Sequence, residues 1–175
     1  MEEVEVTIGM AGAGRATQLH MEAYARVKDI KPCYKTILAK HEDHARAGRK
    51  LYGFDKATTR FEDLLEDPEI QVIDICTPPY LHADMIVQAL KAGKHVICEK
   101  PLTGYFGMPG DETPIGNHVS KDKMYKELIA SMDRIEETVK ASGKQFMYAE
   151  NYIYSPAIVK AAEIFSAVAD PTGQN

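Results

Sequence analysis

The sequence predicts an α/β fold built on a doubly wound parallel sheet. Three observations carry that expectation. Short apolar runs alternate with stretches of helical spacing, the pattern of repeated strand–helix–strand units. The run at 72–75 is almost wholly apolar, as a parallel strand covered on both faces must be. A glycine-rich turn, Gly12-Ala13-Gly14-Arg15-Ala16-Thr17, follows the first apolar run and opens a helix.

The elements follow in order. Val4, Val6 and Ile8 alternate, which predicts a strand over residues 3–9. Leu19, Ala23, Tyr24 and Val27 fall at helical spacing and place a helix over 14–27. The next strand is expected at 34–39, and the next helix at 41–52, ended by Gly53. Thr59-Arg60-Phe61-Glu62 has the capping-box pattern, which predicts a short helix through residue 65. After the strand at 72–75 come a helix at 81–91, ended near Gly93, and a strand at 96–98. The beat then breaks. Residues 103–119 hold six glycines and prolines, from Gly104 to Gly116, with little periodicity. A loop of that length is either functional or disordered: a lid over a cleft, or a surface excursion. Ser120 is placed to cap a long helix through 139, a strand follows at 145–149, and Pro156 starts a last helix to about 165. Met124, Met132 and Met147 read as core filling.

Composition narrows the function. A chain of 175 residues supports one domain with a real core. Its formal charge is −5 and its Lys and Arg are scattered, which argues against a nucleic-acid partner. No apolar run reaches membrane-spanning length, and the acidic start Met1-Glu2-Glu3 lacks the pattern of a signal peptide. Cys33, Cys76 and Cys98 are odd in number, lie in or beside strands and lack C-x-x-C spacing. They read as buried apolar residues of a cytoplasmic protein, with no metal site expected. His41 and His44 stand one helical turn apart, which reads as an exposed helix start.

The chemistry-bearing residues gather at strand ends. Gly12 allows the tight exit from the first strand, and Gly14 lets a pyrophosphate approach the backbone where the helix dipole is positive. Thr17 stands where a third glycine or alanine belongs. By itself such a turn is equally a phosphate site or an ordinary tight turn. Two more segments end strands: Cys76-Thr77-Pro78-Pro79-Tyr80-Leu81-His82 and, after His95-Val96-Ile97-Cys98, Glu99-Lys100-Pro101. In an open α/β sheet, ligands bind outside the carboxyl ends of the strands. The residue at the end of the second strand sets the choice of dinucleotide. A carboxylate there accepts from the ribose 2′-hydroxyl of NAD. Here it is Lys40, followed by His41, and a lysine attracts the 2′-phosphate of NADP. NADP is therefore favoured, the alternative being that Glu42 or Asp43 reaches the ribose.

These segments, with Asn151-Tyr152-Ile153-Tyr154-Ser155-Pro156-Ala157, resemble the Gfo/Idh/MocA family of nicotinamide-dependent sugar and polyol oxidoreductases. The resemblance runs from about Val4 to about Phe165, interrupted after Leu102. It implies a Rossmann-fold NAD(P)-binding domain over 1–150. It also implies that 151–175 begins the crossover to a second, sheet-rich domain carrying substrate contacts and a homo-oligomer interface. It implies a cofactor site of Gly12, Gly14, Arg15, Ala16, Lys40, His41, Thr77, Pro78, Pro79, His82, Glu99, Lys100 and Asn151. Thr77 to Pro79 would line the nicotinamide ribose, and Glu99 would orient the loop or a ribose. Lys100 would be the catalytic residue, stabilising alkoxide charge and assisting proton transfer during hydride exchange with a sugar or cyclitol. Two departures stand out. The family usually has Asn near Pro79 or Tyr80, and commonly Arg where Ile153 stands. Two rival readings stay open: a redox-assisted lyase or glycosidase of the same family, and a non-catalytic dinucleotide-binding module.

Overall fold

A computed structural model describes residues 4–169. Its six strands are β1 (Val4–Ala11), β2 (Ile30–Leu38), β3 (Lys56–Thr58), β4 (Val72–Ile75), β5 (His95–Glu99) and β6 (Phe146–Ala149). They form one sheet in the order β3-β2-β1-β4-β5-β6, with every neighbouring pair parallel. The expected doubly wound fold is what forms. Strand order reverses between β1 and β4, and that is where such sheets open a crevice.

The helices are α1 (Arg15–Tyr24), α2 (Glu42–Tyr52), α3 (Glu62–Glu66), α4 (His82–Lys91), α5 (Ile115–His118), α6 (Lys121–Ser142) and α7 (Pro156–Ala169). Alternation along the strands splits the core in two. Met10 and Ile37 point to a cluster completed by Met21 of α1 and by Phe54. Their neighbours Ala11 and Leu38 point to the opposite cluster, with Ile86 and Leu90 of α4 and Ile135 of α6. The helix ends follow local chemistry. Gly53 and Gly143 take the left-handed conformation that closes α2 and α6. Ser120 Oγ accepts from the Lys123 N–H at 3.3 Å to start α6.

Several elements differ from expectation for identifiable reasons. The buried face of α1 runs through Thr17, Met21 and the partly buried Tyr24, so Leu19 and Val27 are exposed. β2 starts at Ile30, earlier than expected, and runs through Pro32. Proline is tolerated there because β3 pairs with β2 only from Thr36 onward, which leaves Pro32 on an open side. The register slips between Ile8 and Gly9, with Lys35 as the extra residue. The capping box does not form. Phe61 precedes α3 with no side-chain cap, and Thr58 Oγ1 donates to Asp63 at 2.5 Å instead. Met132 and Met147 are exposed rather than core-filling: Met132 lies on α6, whose buried residues are Ile135 and Thr138, and Met147 lies on the edge strand β6. Among the described residues, no helix is long and apolar enough to cross a membrane.

Candidate dinucleotide site

The glycine turn sits at the β1/β4 crevice. Gly12 has φ +121°, its N–H donates to the Leu38 carbonyl at 2.8 Å, and a Cβ on it would meet the Cys76 carbonyl oxygen. Gly14 caps α1 with no side-chain hydrogen bond, and a Cβ built on it meets nothing within 4 Å. The start of α1 is thus uncapped by any side chain and the space at Gly14 is open, an arrangement suited to an anionic group. Thr17 is fully buried, so a small β-branched residue does fit the close contact of helix and sheet.

A cleft of about 710 Å³ opens here. Gly12, Gly14, Lys40, Thr77 and Pro78 of the sequence-based set line it together. Arg15, Ala16, His41, Pro79, Asn151, Glu99 and Lys100 do not line this cleft. Arg15 and Ala16 continue the α1 N-terminus behind Gly14, and His41 is an exposed residue whose ring stands edge-on to His44, 5.7 Å between centroids. Asn151 is exposed in a single 3-10 turn whose start Glu150 caps, accepting from the Tyr152 N–H at 3.1 Å. His44 lines the cleft although its sequence position reads only as a helix start. No carboxylate of Glu42 or Asp43 is in the lining. Glu42 pairs with Arg46 at 2.5 Å.

His82 requires a correction. It is wholly buried, and both ring nitrogens are engaged: Nδ1 stands 2.9 Å from the Pro101 carbonyl oxygen and Nε2 stands 2.8 Å from that of Thr77. It joins the two strand-end segments and offers no atom to the cleft. The cause is its place at the first turn of α4, whose side chains pack inward against the sheet.

Glu99 ends β5, next to β4 in the sheet, and Lys100 follows it. Lys100 is exposed, and its backbone N–H donates to Glu99 Oε2 at 2.7 Å. Behind them lies a polar cluster that apolar patterning conceals. Asp74 is fully buried in β4. Its Oδ2 accepts from Tyr24 OH at 2.6 Å and lies 2.8 Å from His20 Nδ1. His20 Nε2 lies 3.3 Å from Glu99 Oε1. Burial alone would lower the His20 pKa, but its hydrogen bonds and charge interactions with Asp74 and Glu99 outweigh that and raise it. Burial, reinforced by Asp74, pushes the Tyr24 hydroxyl and the Cys76 and Cys98 thiols far up. Potential metal-ligating atoms of His20, Asp74 and Cys76 lie within 4.8 Å of one another, and hydrogen bonds connect them here. The signal for this cluster was a lone carboxylate in a strand covered on both faces, which must find partners. All three cysteines are free: Cys76 and Cys98 are buried and Cys33 half-buried.

The 103–119 insertion is folded. Asp111 accepts from the Tyr105 hydroxyl, from the Met108 N–H at 2.8 Å and from Lys123 Nζ of α6 at 2.6 Å. Lys123, then Tyr105, holds the Asp111 carboxyl down to about 2. Phe106 meets Tyr80, a cleft-lining residue, edge to face at 6.3 Å.

A family model for an oxidoreductase family with an NAD-binding Rossmann fold, Gfo/Idh/MocA, matches residues 6–108. The chain belongs to this family. Its relatives include levoglucosan dehydrogenase of Pseudarthrobacter phenanthrenivorans, 32% identical over 131 residues, covering 71% of this chain and 33% of the relative. Myo-inositol 2-dehydrogenase of Thermotoga maritima is 32% identical over 96 residues, covering 55% and 28%. Among solved structures, a levoglucosan dehydrogenase complex with NADH superposes with a TM-score of 0.74 at 26% identity, covering 97% of this chain and 41% of that one. A Klebsiella pneumoniae NAD binding oxidoreductase gives 0.71 at 27% identity, covering 93% and 39%. The chain thus spans about a third of the length of the curated relatives it matches. Family members are oxidoreductases, and this chain carries the family's nucleotide-binding fold.

Proposed function

We propose that the chain is the dinucleotide-binding part of an NAD(P)-dependent oxidoreductase acting on a hydroxyl-bearing carbon of a sugar, cyclitol or related small molecule. The observation that carries this reading is the Gly12–Gly14 cradle at the sheet's switch point, with Glu99-Lys100 leaving the same carboxyl edge two strands away. The space before Gly14 and the uncapped start of α1 fit a pyrophosphate. When bound, the nicotinamide supplies the hydride chemistry. The chain's own residues bind and orient. Lys40, with His44 beside it in the cleft, favours a 2′-phosphate and hence NADP. Thr77 and Pro78 form the wall of the cleft on the β4 side. Lys100, an exposed ammonium at the sheet edge, stabilises charge on the substrate oxygen and handles its proton.

Residues 151–175 lead, in this reading, into a second domain with the remaining substrate contacts and a homo-oligomer interface; 170–175 lie outside the described residues. The exposed Tyr152, Ile153, Ile158 and Phe165 suit such a junction. A cytoplasmic setting belongs to the same reading. The experiment is Lys100→Met in the longer protein. Turnover with levoglucosan or myo-inositol should fall by about a hundredfold or more, with dinucleotide affinity nearly unchanged. Activity within about twofold of the parent would remove Lys100 from the mechanism.

A further inference from the structure

The proposed function uses the exposed Lys100. Behind the Glu99-Lys100-Pro101 segment, His20 with Asp74 and the buried His82 are arranged with respect to that one residue. We propose that His20 and His82 are positioning residues for Lys100: one grips Glu99, the other grips Pro101, and together they fix the backbone from which the Lys100 side chain projects.

The first grip is a continuous chain of hydrogen bonds. Tyr24 OH donates to Asp74 Oδ2 at 2.6 Å, and His20 Nδ1 meets the same oxygen at 2.8 Å. His20 Nε2 faces Glu99 Oε1 at 3.3 Å, and Glu99 Oε2 accepts the Lys100 N–H at 2.7 Å. Each end of the imidazole therefore faces a carboxylate oxygen. An ionised carboxylate only accepts, so a ring protonated on both nitrogens satisfies both contacts. The second grip lies on the other side of Lys100. His82 stands between the Pro101 and Thr77 carbonyls, and an N–H on either ring nitrogen donates to the carbonyl it faces, so the ring is held between the strand-end segments of β5 and β4.

Stability alone is a poor reason for the first cluster. The side chains of His20, Asp74 and Glu99 are 14%, 0% and 15% exposed. Taking such groups out of water is costly, and well-packed apolar side chains of similar volume often serve stability as well or better. What a charged, fully connected network adds is one fixed arrangement. Here the arrangement ends on the amide of the residue on which the proposed chemistry depends. Geometry set to within a fraction of an ångström is what catalytic groups require from their supporting residues.

The inference rests on the reading of Lys100 as the proton-handling residue, so two measurements are needed. The first, on residues 1–175, is independent of activity: amide hydrogen exchange at Lys100 by NMR in the parent, His20→Ala, His20→Gln, His82→Ala and Glu99→Gln. Lys100 exchange should accelerate by about tenfold or more in the alanine variants and in Glu99→Gln, with Ile73 and Val96 unchanged. His20→Gln, which keeps a donating amide nitrogen, should fall between. The second, in the longer protein, is a kinetic split. His20→Ala should lower kcat by about tenfold while leaving the KM for dinucleotide within about twofold, and His20→Gln should recover part of the loss. If the alanine variants do not fold, Glu99→Gln alone decides. Lys100 exchange within about twofold of the parent in every folded variant would overturn the clamp. Faster exchange in a longer protein that performs no hydride transfer would leave the clamp standing and overturn the proposed function.

Discussion

A Cβ placed on Gly12 would lie 2.6 Å from the carbonyl oxygen of Cys76. The backbone just after β1 and the backbone just after β4 therefore lie in close contact at the crevice. Gly14, two residues on, has nothing within 4 Å of its own Cβ position. The two glycines consequently do different work, one for the fold and one for the space a ligand needs. Gly12→Ala combines that overlap with φ +121°, and the backbone strain alone is worth about 1–3 kcal/mol. Its denaturant midpoint should drop clearly. Gly14→Ala should unfold as the parent does, yet weaken dinucleotide binding by about tenfold, equivalent to about 1.4 kcal/mol. Thermal melts and calorimetric titration of both variants check the separation.

Lys40 should set the choice between the two dinucleotides. It lines the cleft with no carboxylate from Glu42 or Asp43 beside it. NADPH should bind more tightly than NADH, and Lys40→Asp should erase or reverse that order. An exposed ion pair contributes only about 0–1 kcal/mol, so the preference should not exceed about tenfold unless His44 adds to it. Equal affinities, unchanged by the substitution, would contradict the assignment.

Much of this was legible in sequence, for local reasons. The strand–helix beat identified β1, β4, β5 and their helices, because each is a periodic or apolar run bounded by glycine or proline. Gly12, Gly14, Lys40, Thr77 and Pro78 could be grouped in sequence because each follows a strand, and the structure brings them to one cleft. β3 escaped notice because three residues, Lys56–Thr58, carry no period. The upstream part of β2 escaped because Pro32 argues against a strand until the open side is known. The His20–Asp74–Glu99 cluster joins residues 54 and 79 positions apart, and no local rule pairs them. His82 shows the converse: a histidine after Thr-Pro-Pro suggests a ligand contact, and only packing shows both nitrogens turned inward.

The raised pKa of His20 makes stability depend on pH. Raising the folded value above 6.5 means the folded chain holds the proton more tightly than the unfolded one. The contribution is fully present below about pH 6.5 and is lost as pH rises through the folded value. Urea midpoints should therefore decline from mildly acidic toward alkaline pH. His20→Gln should flatten that decline. A parent and variant with parallel profiles would contradict the buried imidazolium.

Asp111 should govern the order of the insertion. It ties Tyr105 and the Met108 amide to Lys123 of α6, and its carboxyl stays ionised down to about pH 2. Asp111→Asn removes the charge and keeps the shape. Hydrogen exchange over 104–119 should rise by about tenfold, with β4 and β5 unaffected. Uniform exchange in both proteins would mean that the insertion is held elsewhere.

The central claim is that the carboxyl edge of this sheet, at the β1/β4 switch, receives a nicotinamide dinucleotide. Amide NMR of residues 1–175 during titration with NADPH and with NADH tests it most directly. The account predicts saturable shifts centred on Gly12, Gly14, Arg15, Ala16, Lys40 and Thr77, earlier with NADPH, and abolished by Gly14→Val while the β4 and β5 resonances stay in place. Saturating dinucleotide that leaves those amides unmoved, or moves a different face of the sheet, would contradict it.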